Sequence, residues 1–279
     1  MSRDRAIPIS YAAIAVLLGL LFFPALVWLV RSWLSSPYYS HGFLVPPIAA
    51  LLAWRTWPRV RDAPRQGTGW PGLALTGVSL VVVVWAMRWH SYALASGALV
   101  MLLAGIVLYL EGWARLRHWL FPLFFLLFMV PLPFLDLASP WLESVTAEWA
   151  TRLAGLAGFQ TTHQGGEILL PNTSIVVGAP CSGLRSLVAM GTIGAAWVFV
   201  VEGRAWAKTV MLIAILPIVL LSNILRITIL LVLAVLAGEE IALSYYHDWS
   251  SPILFLAALG LLLLLGKVLG CSRVREDIF

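Results

Sequence analysis

Three side chains in this apolar chain carry chemistry that their neighbours do not explain. Cys181, in Ala179-Pro180-Cys181-Ser182-Gly183, stands where an apolar run begins. Unpaired amides and the macrodipole at a helix N-terminus favour a thiolate there, whereas a small packed thiol is the plainer reading. Arg226 lies inside a long apolar run, where an arginine costs at least about 2.5 kcal/mol unless paired or wet. Asn223 precedes it by three residues and shares its side of a helix, so both polar groups can enter one pocket. Snorkelling of Arg226 to lipid phosphate is the competing reading. His247, in Tyr245-Tyr246-His247-Asp248-Trp249, is either a proton carrier or a member of an interfacial aromatic belt. A thiolate nucleophile, an imidazole and a guanidinium that steadies an oxyanion make an acyl-transfer set. Arg185, one turn beyond Cys181, either joins them or binds lipid phosphate.

Helices in lipid are the elements that must position these groups. Of 279 residues 61% are hydrophobic and 11% charged, with a mean hydropathy of +0.93, which excludes soluble, disordered, collagenous and disulfide-framework classes. The +5 net charge comes from scattered basic groups without a continuous patch, so no nucleic-acid partner is expected. A membrane-spanning helix needs roughly 20 apolar residues. Eight runs approach that length, at about 9–30, 42–57, 70–87, 92–110, 118–135, 183–201, 205–237 and 252–269. With the N-terminus in the cytoplasm, every Lys and Arg except Arg31, Arg88, Arg152, Arg185 and Arg226 falls on the cytoplasmic side. Both termini are then inside, and the first run is a retained helix. Arg226 follows Ala205 by 21 residues, a climb of roughly 30 Å, so it reaches the outer face with Cys181 and His247.

The expected fold is therefore an all-α polytopic membrane protein forming one domain over 1–279. Its single large extracytoplasmic segment is about 136–181. Trp141, Leu142, Val145, Trp149, Leu153 and Leu156 recur near helical spacing, which predicts an interfacial helix. After it, Glu167-Ile168-Leu169-Leu170 and Thr173-Ser174-Ile175-Val176-Val177 flank Pro171-Asn172, which predicts a small β-hairpin. Cys271 falls on the opposite side of the membrane from Cys181, so no disulfide joins them. His90 and His118 read as interfacial, and His163 as a solvated loop residue.

Taken together, Pro180-Cys181-Ser182-Gly183, Ser222-Asn223-Ile224-Leu225-Arg226, Tyr246-His247 and Tyr39-Ser40-His41-Gly42 resemble the motifs of the exosortase and archaeosortase group of membrane cysteine transpeptidases. The resemblance covers essentially the whole chain. It implies that Cys181 attacks a C-terminal sorting signal at the outer face of a bacterial inner membrane, giving a thioester that an acceptor nucleophile resolves. Substrates would carry a Pro-Glu-Pro-type motif, a transmembrane helix that docks through lipid, and a basic cluster, often alongside exopolysaccharide production. Arg226, His247 and Cys181 would be catalytic. Arg226 would bind the oxyanion, with backbone amides near Ser182 and Gly183, or hold the thiolate as an ion pair. Asn223, Arg185 and His41 would support the site or the substrate. One departure is visible: where the family often places a glycine four residues after the histidine, this chain has Ser251.

Two other classes fit the composition. A transporter would use Arg226, Asn223 and the proline-containing second and seventh runs as a midplane path, and an assembly scaffold would leave Cys181 without a task. Within enzymology, a hydrolytic intramembrane protease shares the acyl-enzyme step. No HExxH, CxxC or Gly-rich phosphate loop occurs, so no metal or cofactor is expected.

Overall fold

The computed structural model describes residues 3–36, 38–67, 69–170, 174–177, 181–238, 240, 242 and 247–276, without the side chains of 3–15, 133, 136, 247 and 248. In chain order the helices are α1 (Arg3–Ser35), α2 (Val45–Asp62), α3 (Trp70–Arg88), α4 (Tyr92–Glu111), α5 (Trp113–Phe125), α6 (Pro133–Leu156), α7 (Leu184–Val200), α8 (Ala205–Ala237) and α9 (His247–Val268). Three strands, β1 (Thr162–Gln164), β2 (Glu167–Leu169) and β3 (Ser174–Val176), lie between α6 and α7. Helices α1, α3, α4, α8 and α9 are long and apolar enough to cross a membrane, and α7 is a shorter apolar helix. This is a mostly helical, multi-pass membrane protein. Three of the eight expected runs, those of α2, α5 and α7, fall short of that standard. Helix α2 carries Arg55, Arg59 and Arg61 in its second half, and α5 ends at Phe125, ten residues before the expected run does. The chain tightens there into a 3-10 turn over Leu126–Met129 and meets Pro131 and Pro133, which lack the amide donors a continuing helix needs.

The described residues fall into two compact units, Met1–Pro131 and Leu132–Phe279. In the first, α3 and α4 pack closely because small residues face each other. A Cβ at Gly105 would stand 2.8 Å from the Thr76 amide nitrogen, and one at Gly72 would collide with the Tyr109 backbone. Phe22 and Ala25 of α1 complete that core with Val83, Ala86, Ala95, Ala98 and Leu102. The carbonyls exposed where α5 gives way to the 3-10 turn need donors. Trp33 Nε1 donates to Met129 O at 2.8 Å, and His41 Nε2 lies 3.1 Å from Phe128 O. His41 Nδ1 is 3.1 Å from Tyr38 O, and burial outweighs both carbonyls to push the imidazole below its ordinary pKa. The neutral ring carries one N–H, so His41 donates to one of these two carbonyls at a time, both within its own unit.

In the second unit, helix α6 begins eight residues before the first residue of its predicted periodicity, and the predicted hairpin is a three-stranded antiparallel sheet in the order β1-β2-β3. The register pairs His163 with Ile168 and Ile168 with Ile175. Strand β1 was invisible to hydropathy because Thr162, His163 and Gln164 are all exposed. Gly165, at φ +61°, makes the tight β1–β2 turn. The predicted turn residues Pro171 and Asn172 lie outside the described residues. Ile168, Ile175 and Val177 pack with Ala147, Ala150 and Ala154 of α6 against Ile227, Leu230 and Leu231 of α8. A second core joins Met190 of α7, Met211, Ile215 and Val219 of α8, and Ala258 and Leu262 of α9, with Cys271 at its edge. Helix α8, with 33 residues, is about 50 Å long and reaches both cores.

Replacing Gly105 with Val forces a branched side chain into the Thr76 backbone. The expected loss is about 1–3 kcal/mol, read as a lower midpoint in detergent-solubilised thermal unfolding, while Gly97→Val, where nothing lies within 4 Å of the added Cβ, moves it far less.

Candidate active site

Helix α8 supplies the fixed points. Asn223 and Arg226 are 6% and 8% exposed, on the stretch where its two cores meet. Asn223 Nδ2 donates to the Cys181 carbonyl oxygen at 2.9 Å and to Thr146 Oγ1 at 3.2 Å. Arg226 Nη2 donates to that same carbonyl at 3.4 Å, and Nη1 donates to Ser251 Oγ of α9 at 2.6 Å. One backbone oxygen, that of the cysteine, is therefore held by two side chains from one helix face. Cys181 itself is half-buried and packs on the core beneath the sheet.

The turn after Cys181 is shaped for this grip. Gly183 caps α7 at φ +84°, and a Cβ there would sit 3.1 Å from the Asn223 side chain. Only glycine takes that conformation at little cost while letting Asn223 pass. Ser182 is 1% exposed, and its Oγ accepts the Leu184 amide at 3.3 Å. Ser182 Oγ also lies 3.3 Å from Ser139 Oγ, and Ser139 donates to Glu143 Oε1 at 2.7 Å. Since each hydroxyl has one proton and the carboxylate takes that of Ser139, Ser182 donates to Ser139. A polarised chain thus runs from the first amide of α7 to a carboxylate on α6.

The thiol expectation needs correction. Cys181 precedes the cap by two residues and is not on the first turn of α7, so it gains little from that helix's unpaired amides. Burial pushes its pKa up, Arg226 pulls it down, and Glu143 pushes it up again, with a net rise above the ordinary thiol value. At neutral pH the resting group is a thiol that must lose its proton before it can attack.

The sequence candidates have the following surroundings. Ser182, Gly183, Asn223 and Arg226 gather around Cys181 as described. Arg185 is exposed on α7. His41 belongs to the other unit, where two carbonyls occupy its ring. His247 opens α9 one helical turn ahead of Ser251, and its side chain lies outside the described residues. Missed at first were Ser139, Glu143, Thr146 and Ser251. The first three recur at i, i+4 and i+7 on α6, a polar stripe that was readable beside the apolar positions.

A buried asparagine and arginine that grip the backbone of a half-buried cysteine, within helices of membrane-spanning character, define a membrane protein with a thiol-centred site. The profile of the transmembrane exosortases matches residues 33–264, and the chain belongs to that family. Comparison with curated proteins and with solved structures finds no match. Membership supports a sorting-related transpeptidase role in general.

Two outcomes follow from this geometry. Alkylation of Cys181 by iodoacetamide rises with pH through a midpoint above that of an ordinary thiol, and Arg226→Gln moves the midpoint higher still because the thiolate loses its cation. A Gly183→Ala variant carries about 1–2 kcal/mol of left-handed strain and displaces Asn223. It is expected to lower processing activity at least tenfold, measured against wild type at equal membrane content.

Proposed function

We propose that the chain is a cysteine transpeptidase that cleaves C-terminal sorting tails at the outer face of a bacterial inner membrane. The observation that carries this reading is the double hold of Asn223 and Arg226 on the Cys181 carbonyl, which fixes the nucleophile's backbone beside a buried guanidinium. In the first half-reaction the thiol loses its proton, for which His247 is the proposed acceptor. Sulfur then bonds to the carbonyl carbon of the scissile peptide. The oxyanion is stabilised by Arg226 or by backbone amides near Ser182 and Gly183. Collapse breaks the C–N bond, the proton passes to the departing amine, and a thioester remains on Cys181. An acceptor nucleophile then takes the acyl group.

The proposed substrates are exported proteins with a Pro-Glu-Pro-type motif, a transmembrane helix and a basic cluster at the C-terminus. Lipid positions such a tail by confining its helix to two dimensions, which supplies much of the orientation that a soluble protease must build from pockets. Water as the acceptor would make the enzyme a hydrolase with the same first half-reaction.

With a co-expressed tailed substrate, Cys181→Ala is expected to abolish processing while the variant still inserts and accumulates in the membrane. Normal processing by that variant rejects the thiol mechanism. Mass spectrometry of the new C-terminus separates the two fates of the thioester: a free carboxylate reports hydrolysis, and an added mass reports transfer.

A further inference from the structure

Among the described residues Glu143 is the one whose charge works against a thiolate at Cys181. Its place is not incidental. The side chain is half-buried on α6, Oε1 receives the Ser139 hydroxyl at 2.7 Å, and Ser139 reaches Ser182, the residue next to the nucleophile. Gly166, in the β1–β2 turn, lies over it: a Cβ at that position would stand 3.2 Å from Glu143 Cβ and 3.6 Å from Oε2. Oε1 is therefore committed to the hydroxyl chain, while Oε2 accepts no hydrogen bond from the described residues and lies beside the Gly166 backbone.

The charge makes sense in the other half of the reaction. While sulfur is the nucleophile, a nearby carboxylate is a hindrance. Once the acyl group is on sulfur the thioester is neutral, that repulsion is gone, and the incoming nucleophile needs a group to take its proton. We propose that Glu143 is the proton acceptor for the second half-reaction, an inference that rests on the thioester pathway proposed above. The lone pair of an amine, hydroxyl or water bonds to the thioester carbonyl carbon, and its proton passes to Glu143 Oε2. Collapse breaks the C–S bond with the electron pair returning to sulfur, and the proton on Glu143 moves to that thiolate, restoring both groups. Among the described residues the charged group that acts with Glu143 on the Cys181 sulfur is Arg226 from α8, and His247, the proposed acceptor of the first half-reaction, is the other titratable group of the pathway. Glu148 and Arg152, further along α6, pair with each other at 2.6 Å.

The test uses the full chain in membranes with a tailed substrate and compares wild type, Glu143→Gln and Glu148→Gln, the last at a carboxylate of the same helix that pairs with Arg152. Glutamine keeps an acceptor for Ser139 but neither the charge nor the basicity. With Glu143→Gln the Cys181 thioester should still form, should accumulate as a reductant-sensitive adduct, and should be released about 10²- to 10⁴-fold more slowly, the range of a lost general base. Added hydroxylamine, a strong nucleophile that needs no base, should discharge the adduct at similar rates in wild type and Glu143→Gln. Without substrate, Glu143→Gln should be alkylated at Cys181 faster than wild type at neutral pH, which also shows that the variant is folded around its thiol. Glu148→Gln should release the adduct at near wild-type rate. The proposal is overturned if Glu143→Gln releases the adduct normally, if it fails to acylate while wild type does, or if Glu148→Gln accumulates the adduct as strongly. Absence of any adduct in wild type, with processing intact in Cys181→Ala, would instead reject the thioester pathway itself.

Discussion

The site depends on one backbone oxygen. The Cys181 carbonyl lies where water is scarce, and an unsatisfied buried carbonyl costs about 1–3 kcal/mol. Asn223 and Arg226 remove that cost and, by doing so from a single helix, convert it into position. Because α8 belongs to both cores of its unit, the two donors are rigid in a way that a loop residue is not. Gly183 follows from the same requirement, since the turn has to swing under Asn223 with no Cβ in the way.

The small residues of α6 set the other side. Ala147, Ala150 and Ala154 are fully buried against α8 and the sheet. Helices that present alanine approach closely, and this brings Thr146 within 3.2 Å of Asn223. The polar stripe of Ser139, Glu143 and Thr146 runs beside that alanine seam, so packing by small apolar groups places hydroxyls and a carboxylate at the cysteine. The three-stranded sheet adds Ile168 and Ile175 to the same core, closing it from the remaining direction.

Much of this was legible in the chain. The extent of α8, the polar pair on one of its faces and the β-forming stretch before the cysteine follow from hydropathy, helical spacing and turn chemistry, whereas the glycine after the cysteine entered with the family motif. What escaped did so for physical reasons. Strand β1 has no buried face, so periodicity was silent. The expected 118–135 span looked continuous because hydropathy weighs side chains, whereas the break at 130–132 follows from the missing amides of Pro131 and Pro133. Glu143 gives no signal of its own, since an isolated carboxylate on a helix carries no hint of which residue far along the chain it will meet. His41, grouped with the site by motif, owes its surroundings to the Tyr38 carbonyl of its own turn and to the Phe128 carbonyl that the broken helix leaves bare.

The charges around Cys181 also bear on how its thiol resists side reactions. Oxidation and alkylation both proceed through the thiolate, so a cysteine with a depressed pKa is reactive toward everything that reaches it. Here burial and Glu143 together outweigh Arg226 and keep the proton on sulfur. Reactivity then has to be conferred by something that arrives with the substrate, either a change in burial when the tail docks or a base brought into reach. A permanently activated thiolate would sacrifice that discrimination. Burial and the carboxylate thus keep the proton on sulfur at rest against the pull of the guanidinium, and the two helices that carry those charges pack through alanine.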